Sequence, residues 1–117
     1  MPSNRLPVAI AALAVMLPVA ANAHAILTAS TPPSGGTIGA GHQKLDFQYN
    51  SRVDHRRSRL VLTGPDNKHQ VLPIAADSAA NALDAEADLV PGAYTLRWQA
   101  LALDGHITRG DVPFTVK

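Results

Sequence analysis

Short runs of alternating apolar and polar residues fill most of the chain. Leu45, Phe47 and Tyr49 share one parity, with Asp46 and Gln48 on the other. Leu60 and Leu62 alternate with Arg59, Val61 and Thr63, and Tyr94, Leu96, Trp98 and Ala100 alternate with Thr95, Arg97 and Gln99. Val112, Phe114 and Val116 end the chain in the same way. A period of two is that of a strand with one buried face. Turn signals separate the runs at Pro32-Pro33-Ser34-Gly35-Gly36, Gly64-Pro65-Asp66-Asn67 and Pro91-Gly92. The pattern predicts about seven short strands, including a first one over Ile26–Ser30 and another over His69–Ile74. The alanine-rich, acidic stretch from Ala75 to Leu89 has some helix propensity. In so short a chain it reads as a loop and then a strand near Leu83–Ala87. Tyr94, just after a Pro-Gly turn at a strand start, matches a tyrosine corner. The expected fold is all-β, a small Greek-key sandwich or barrel of the immunoglobulin-like kind.

The first 23 residues do not follow this pattern. One cation, Arg5, precedes an apolar stretch from Leu6 to Ala21, and the segment closes on Ala21-Asn22-Ala23. This is the three-part layout of a secretory signal peptide. The stretch is broken by Pro7 and Pro18 and falls short of the ~20 apolar residues of a membrane-spanning helix. Without a twin arginine it points to the general secretory route. Residues 1–23 are therefore read as a removed signal peptide, and residues 24–117 as one exported, periplasmic domain.

Composition narrows the function. The 117 residues include no cysteine, which excludes disulfides, zinc–thiolate clusters and thiol nucleophiles. Net charge is +1, and loss of Arg5 brings it to zero, so nothing marks a nucleic-acid-binding protein. Both methionines, Met1 and Met16, leave with the leader, whereas all five histidines stay.

Cleavage after Ala23 makes His24 the N-terminal residue. It then offers an α-amine and an imidazole Nδ1, which close a six-membered chelate ring on one metal ion. The amine must shed a proton from a pKa of about 7.7–8.0, so a strong Lewis acid is needed. Asp104-Gly105-His106 adds a carboxylate and an imidazole at i and i+2, on one side of an extended segment. Gly105 between them leaves room. Three nitrogens and one oxygen suit copper(II), while copper(I) prefers sulfur. His42, His55 and His69 stand in polar or turn-like surroundings and read as surface residues. Asp54-His55-Arg56-Arg57 reads as a charged loop.

The chain resembles the CopC family of periplasmic copper-binding proteins. The resemblance rests on His24-Ala25-Ile26-Leu27 with Ser30-Thr31-Pro32 and a glycine turn, on Pro91-Gly92-Ala93-Tyr94-Thr95-Leu96-Arg97-Trp98, and on Asp104-Gly105-His106 leading through Gly110 to Phe114-Thr115-Val116. It implies a Greek-key sandwich and one copper(II) ion per mature chain. The implied ligands are the amine and imidazole of His24, the carboxylate of Asp104 and the imidazole of His106. The methionine-rich copper(I) site of some members has no counterpart in residues 24–117. A monomer is expected, with an inner-membrane copper transport protein of the CopD kind as partner.

Copper carriage or buffering, without catalysis, is the function that follows. A histidine-brace oxidase like the polysaccharide monooxygenases is one alternative. It needs an open copper position and two oxidation states, and an anionic Asp104 ligand opposes both. The five aromatic residues alternate within strands and leave no flat sugar-binding face. A metal-free adhesion or assembly module is the other alternative, since sandwiches host many functions.

Overall fold

The computed structural model describes residues 24–117, so the expected leader lies outside the described residues. Eight strands follow in order: β1 (Leu27–Thr31), β2 (Gly36–Ile38), β3 (Gly41–Tyr49), β4 (Arg59–Thr63), β5 (His69–Leu72), β6 (Ala82–Leu89), β7 (Gly92–Leu101) and β8 (Ile107–Val116). They form a three-stranded sheet, β1-β3-β6, and a five-stranded sheet, β2-β8-β7-β4-β5. The fold is an all-β sandwich, as the alternation predicts.

The inward parity of each strand supplies one shared core. Leu45, Phe47, Tyr49, Leu83 and Ala85 come from the smaller sheet, and Leu60, Leu62, Leu96, Trp98, Val112 and Phe114 from the larger. Phe47, Leu60, Leu83 and Leu96 have no exposed surface. Trp98 meets Tyr49 edge-on across the sheets, with ring centroids 5.2 Å apart. Its indole also lies over Gly110, its register partner, where a Cβ would come within 2.6 Å of the ring. Glycine at that position lets the tryptophan lie flat on β8.

The tyrosine corner is present. The Tyr94 hydroxyl donates to the Val90 carbonyl at 2.9 Å and accepts from the Val90 N–H at 3.0 Å. The crossover from β6 to β7 thus satisfies its own backbone groups. The stretch from Ala75 to Leu89 contains no helix, and its strand is longer than expected, because Ala82–Leu89 pairs with β3 along nearly its whole length.

The count of about seven strands falls one short. The additional strand is β2, a three-residue edge strand pairing parallel with β8. It begins inside the Pro-Gly turn signal and is too short to show a period. The first strand runs one residue later than expected, over Leu27–Thr31. The fifth ends at Leu72 rather than Ile74, because Pro73 has no N–H with which to extend the ladder.

Antiparallel pairing brings four chain segments to one end of the sandwich. They are the start of β1, the β3–β4 loop, the β5–β6 loop and the β7–β8 turn. Val53 bridges Ala102, the Asp54 N–H bonds the Leu101 carbonyl at 2.8 Å, and the Val53 N–H bonds the Ala80 carbonyl at 3.0 Å. All three candidate metal ligands lie here.

Candidate metal centre

The β7–β8 turn is tight because its glycine permits it. The Gly105 N–H bonds the Ala102 carbonyl and the Ala102 N–H bonds the His106 carbonyl, both at 2.9 Å. Gly105 has φ +93°, which side chains rarely tolerate. Asp104 and His106 are therefore brought together by a turn and not, as the i and i+2 spacing suggests, by extended backbone. Asp104 closes on its neighbour twice. Its Oδ1 accepts the His106 N–H at 3.1 Å, and its Oδ2 takes a hydrogen bond from His106 Nδ1 at 2.6 Å.

That imidazole contact holds the Asp104 carboxyl below the usual carboxylate range, with the backbone N–H adding to it and slight burial opposing it. Asp104 is thus an ionised oxygen donor at neutral pH. Its bond to Nδ1 fixes the ring of His106, as carboxylates orient metal-bound histidines. Nε2 of His106 has no hydrogen bond among the described residues.

Two polar residues that the sequence reading passed over place His24 beside this pair. Asn50 clamps Ile26 twice: its Oδ1 accepts the Ile26 N–H at 2.8 Å, and its own N–H bonds the Ile26 carbonyl at 3.0 Å. The Thr108 hydroxyl donates to the Ala25 carbonyl at 2.6 Å. Ala25 between them is fully buried. The chain before β1 is thereby laid against the start of β8. The His24 ring meets the His106 ring edge-on, centroids 4.8 Å apart. Asn50 and Thr108 carry no sequence signal beyond being polar beside buried neighbours.

All three ligand candidates are exposed, so an ion can enter and leave. They are neighbours but not a finished coordination set: among the described residues no three His, Asp or Glu side chains already stand in metal-binding geometry. In the uncut chain the His24 nitrogen is a peptide amide. Cleavage after Ala23 would turn it into an amine, a second nitrogen donor on that residue. With it, the cluster would offer three nitrogens and one oxygen, a set suited to copper(II).

The other histidines make contacts of their own. His69 Nδ1 bonds the Thr63 hydroxyl at 2.7 Å, and His55 Nε2 donates to the Ala79 carbonyl at 2.9 Å. Exposed His42 lies 2.8 Å from Asp88 and 3.5 Å from Glu86. The hydrogen bond to Asp88 raises its pKa, with a smaller lift from Glu86 against desolvation.

A separate acidic cleft of about 740 Å³ opens on the smaller sheet and includes His42, Asp46, Asp77 and Asp84. Asp46 and Asp84 are register partners on β3 and β6. Asp84 Oδ1 is buried without a hydrogen-bond partner. The Asp46 carboxyl, then burial, then the charge of Asp77 push Asp84 up to about 6, against a smaller opposing pull from His55. The unfolded residue titrates near 3.8, so the folded chain binds the proton more tightly. This contribution to stability is complete below about pH 4 and is lost as pH rises through about 6. Asp84→Asn is expected to remove that slope. Urea midpoints across the window would fall for the parent and stay level for the variant; an equal slope in both would assign the effect to other groups.

Residues 27–117 match the protein family described as CopC domain. The match begins just after His24. The chain is 31% identical over 99 residues to Protein YobA of Escherichia coli K12, covering 81% of this chain and 80% of that one. It is 28% identical over 115 residues to copper resistance protein C of Pseudomonas syringae pv. tomato, covering 91% and 90%. The crystal structure of CopC from Methylosinus trichosporium OB3b superposes with a TM-score of 0.70 at 23% identity, covering 80% of this chain and 94% of that one.

Proposed function

The chain belongs to the CopC family, and we propose that it is a periplasmic copper(II) carrier or buffer, not an enzyme. Export by a cleaved leader creates its binding site. The observation that carries this reading is the seating of His24 against His106, with Asp104 bonded to the same imidazole. One copper(II) ion per chain is held by the amine and Nδ1 of His24, a carboxylate oxygen of Asp104 and the imidazole of His106. The name of copper resistance protein C, a relative over nine-tenths of the chain, supports copper as the cargo.

The chemistry is that of reversible capture. Donors on an exposed rim exchange an ion without unfolding anything. An anionic oxygen beside three nitrogens favours copper(II), and no thioether in residues 24–117 offers copper(I) a home. The protein acts as a monomer and hands copper to an inner-membrane transport protein.

The test is a titration of the exported protein, followed by mass spectrometry and electron paramagnetic resonance. One equivalent should bind with a nitrogen-rich tetragonal spectrum. His106→Ala should cost more than the roughly 10–100-fold in affinity that a mere outer-shell change costs, with the fold intact. A variant that still binds one copper as tightly, with the same spectrum, would remove His106 from the site.

A further inference from the structure

We infer that the end of the sandwich carrying His24, Asp104 and His106 is also a docking surface for an anionic lipid bilayer. The inference makes no use of copper and stands or falls separately from the carrier reading.

Charge is unevenly spread over a chain whose described part is neutral. Arg52, Arg56, Arg57, Arg59 and Arg109 all lie at this end, and all are exposed. The first three occupy the β3–β4 loop that joins β7 through Val53–Ala102 and Asp54–Leu101. Arg59 and Arg109 flank Gln99 in one row across β4, β7 and β8. Among the described residues none of the five is in a salt bridge; the paired arginine is Arg97, with Asp111. Arg109 donates only to the neutral Gln99 amide, at 2.9 Å.

Of the acids at this end, Asp77 in the β5–β6 loop lines the acidic cleft on the smaller sheet, and Asp54 and Asp104 are engaged locally. Asp54 Oδ1 accepts the Arg56 and Arg57 N–H groups at 2.9 and 3.0 Å, and Asp104 holds His106. Asp46, Asp84, Glu86 and Asp88 lie instead along β3 and β6, on the other sheet. The result is a cationic end and an acidic flank.

Exposed aliphatic side chains sit among these arginines. Leu103, in the β7–β8 turn, is 66% exposed. Ile107 is 47% exposed and lies in the row next to Arg59, Gln99 and Arg109, and Ile26 is 50% exposed beside His24. The clefts of about 740 and 540 Å³ are lined by none of these residues. Projecting aliphatic tips ringed by unpaired cations, outside both of these clefts and without a Trp, Tyr or Phe among them, do not suit a shaped protein partner. A bilayer needs no matching shape. It takes arginine at its headgroups and short aliphatic side chains at the acyl boundary.

The experiment is flotation of the exported protein with vesicles of phosphatidylglycerol and phosphatidylcholine, or of phosphatidylcholine alone, at low and high salt. Binding is expected to the anionic vesicles, weakened by salt. The double variant R56E/R57E should weaken it about tenfold or more, and L103N/I107N should weaken it at unchanged salt dependence. Lys44→Glu, on the acidic flank, should leave it unchanged. Trp98 fluorescence confirms that each variant is folded. Equal partition onto neutral vesicles would overturn the inference, as would binding indifferent to both double variants. So would capture of an acidic protein by the same arginines without any affinity for lipid.

Discussion

Phe47→Ala is expected to lower the stability of this domain by about 3–5 kcal/mol. Phe47 has no exposed surface and sits on β3, the middle strand of the smaller sheet. Its ring fills the space between two sheets that share no strand-to-strand ladder among the described residues. Truncation removes the ring's transfer energy and leaves a cavity that paired strands on either side cannot close. The domain is small and has no disulfide to limit its unfolded state. Against a total of about 5–15 kcal/mol for a typical domain, one side chain then accounts for a large share. Urea unfolding followed by Trp98, the single tryptophan, reads this directly. Phe47→Leu should recover most of the loss, since it keeps the site apolar and partly filled. A Phe47→Ala loss below about 1 kcal/mol would be of surface-substitution size and would contradict a closed sandwich.

Phe47 also illustrates what the sequence made legible. The parity of Leu45, Phe47 and Tyr49 was enough to place all three inside, because a sheet with one wet face enforces alternation. Tyr94 was legible for a related reason: a Pro-Gly turn ahead of a strand tyrosine fixes where its hydroxyl can reach. β2 was not legible, since three residues at a sheet edge bury too little to leave a pattern. Asp104 and His106 stand out by residue type and spacing, yet that spacing suggests extended backbone where the chain makes a turn. Their proximity comes from the positive φ of Gly105, which a Gly in the sequence permits but does not announce. The clamp on the chain start was invisible altogether. Asn50 and Thr108 act on Ile26 and Ala25 across 24 and 83 residues of sequence, and only the closed sandwich brings them together.

That clamp gives the second large expectation its force. A chain that keeps even one residue ahead of His24 should bind copper(II) far more weakly than the cut chain, by more than the roughly 10–100-fold of an outer-shell change. Fold and side chains would be identical in the two. Asn50 and Thr108 grip Ile26 and Ala25, not the nitrogen of His24, so the grip that seats His24 beside His106 does not depend on what precedes it. What changes is one donor: a peptide nitrogen, which does not release its proton readily, in place of an amine that does. The proton lost by that amine predicts the pH dependence. Copper affinity of the cut chain should climb about tenfold per unit while pH lies below an amine pKa of about 7.7–8.0, and level off above it. The extended chain should lack that bend. Competition against a chromophoric chelator across this pH range separates the two forms. Equal affinity and equal pH profiles would show that the amine is no ligand, leaving only the side chains of His24, Asp104 and His106. A bend confined to the cut chain would make signal cleavage itself the step that arms the site, so that the protein ignores copper until it has been exported.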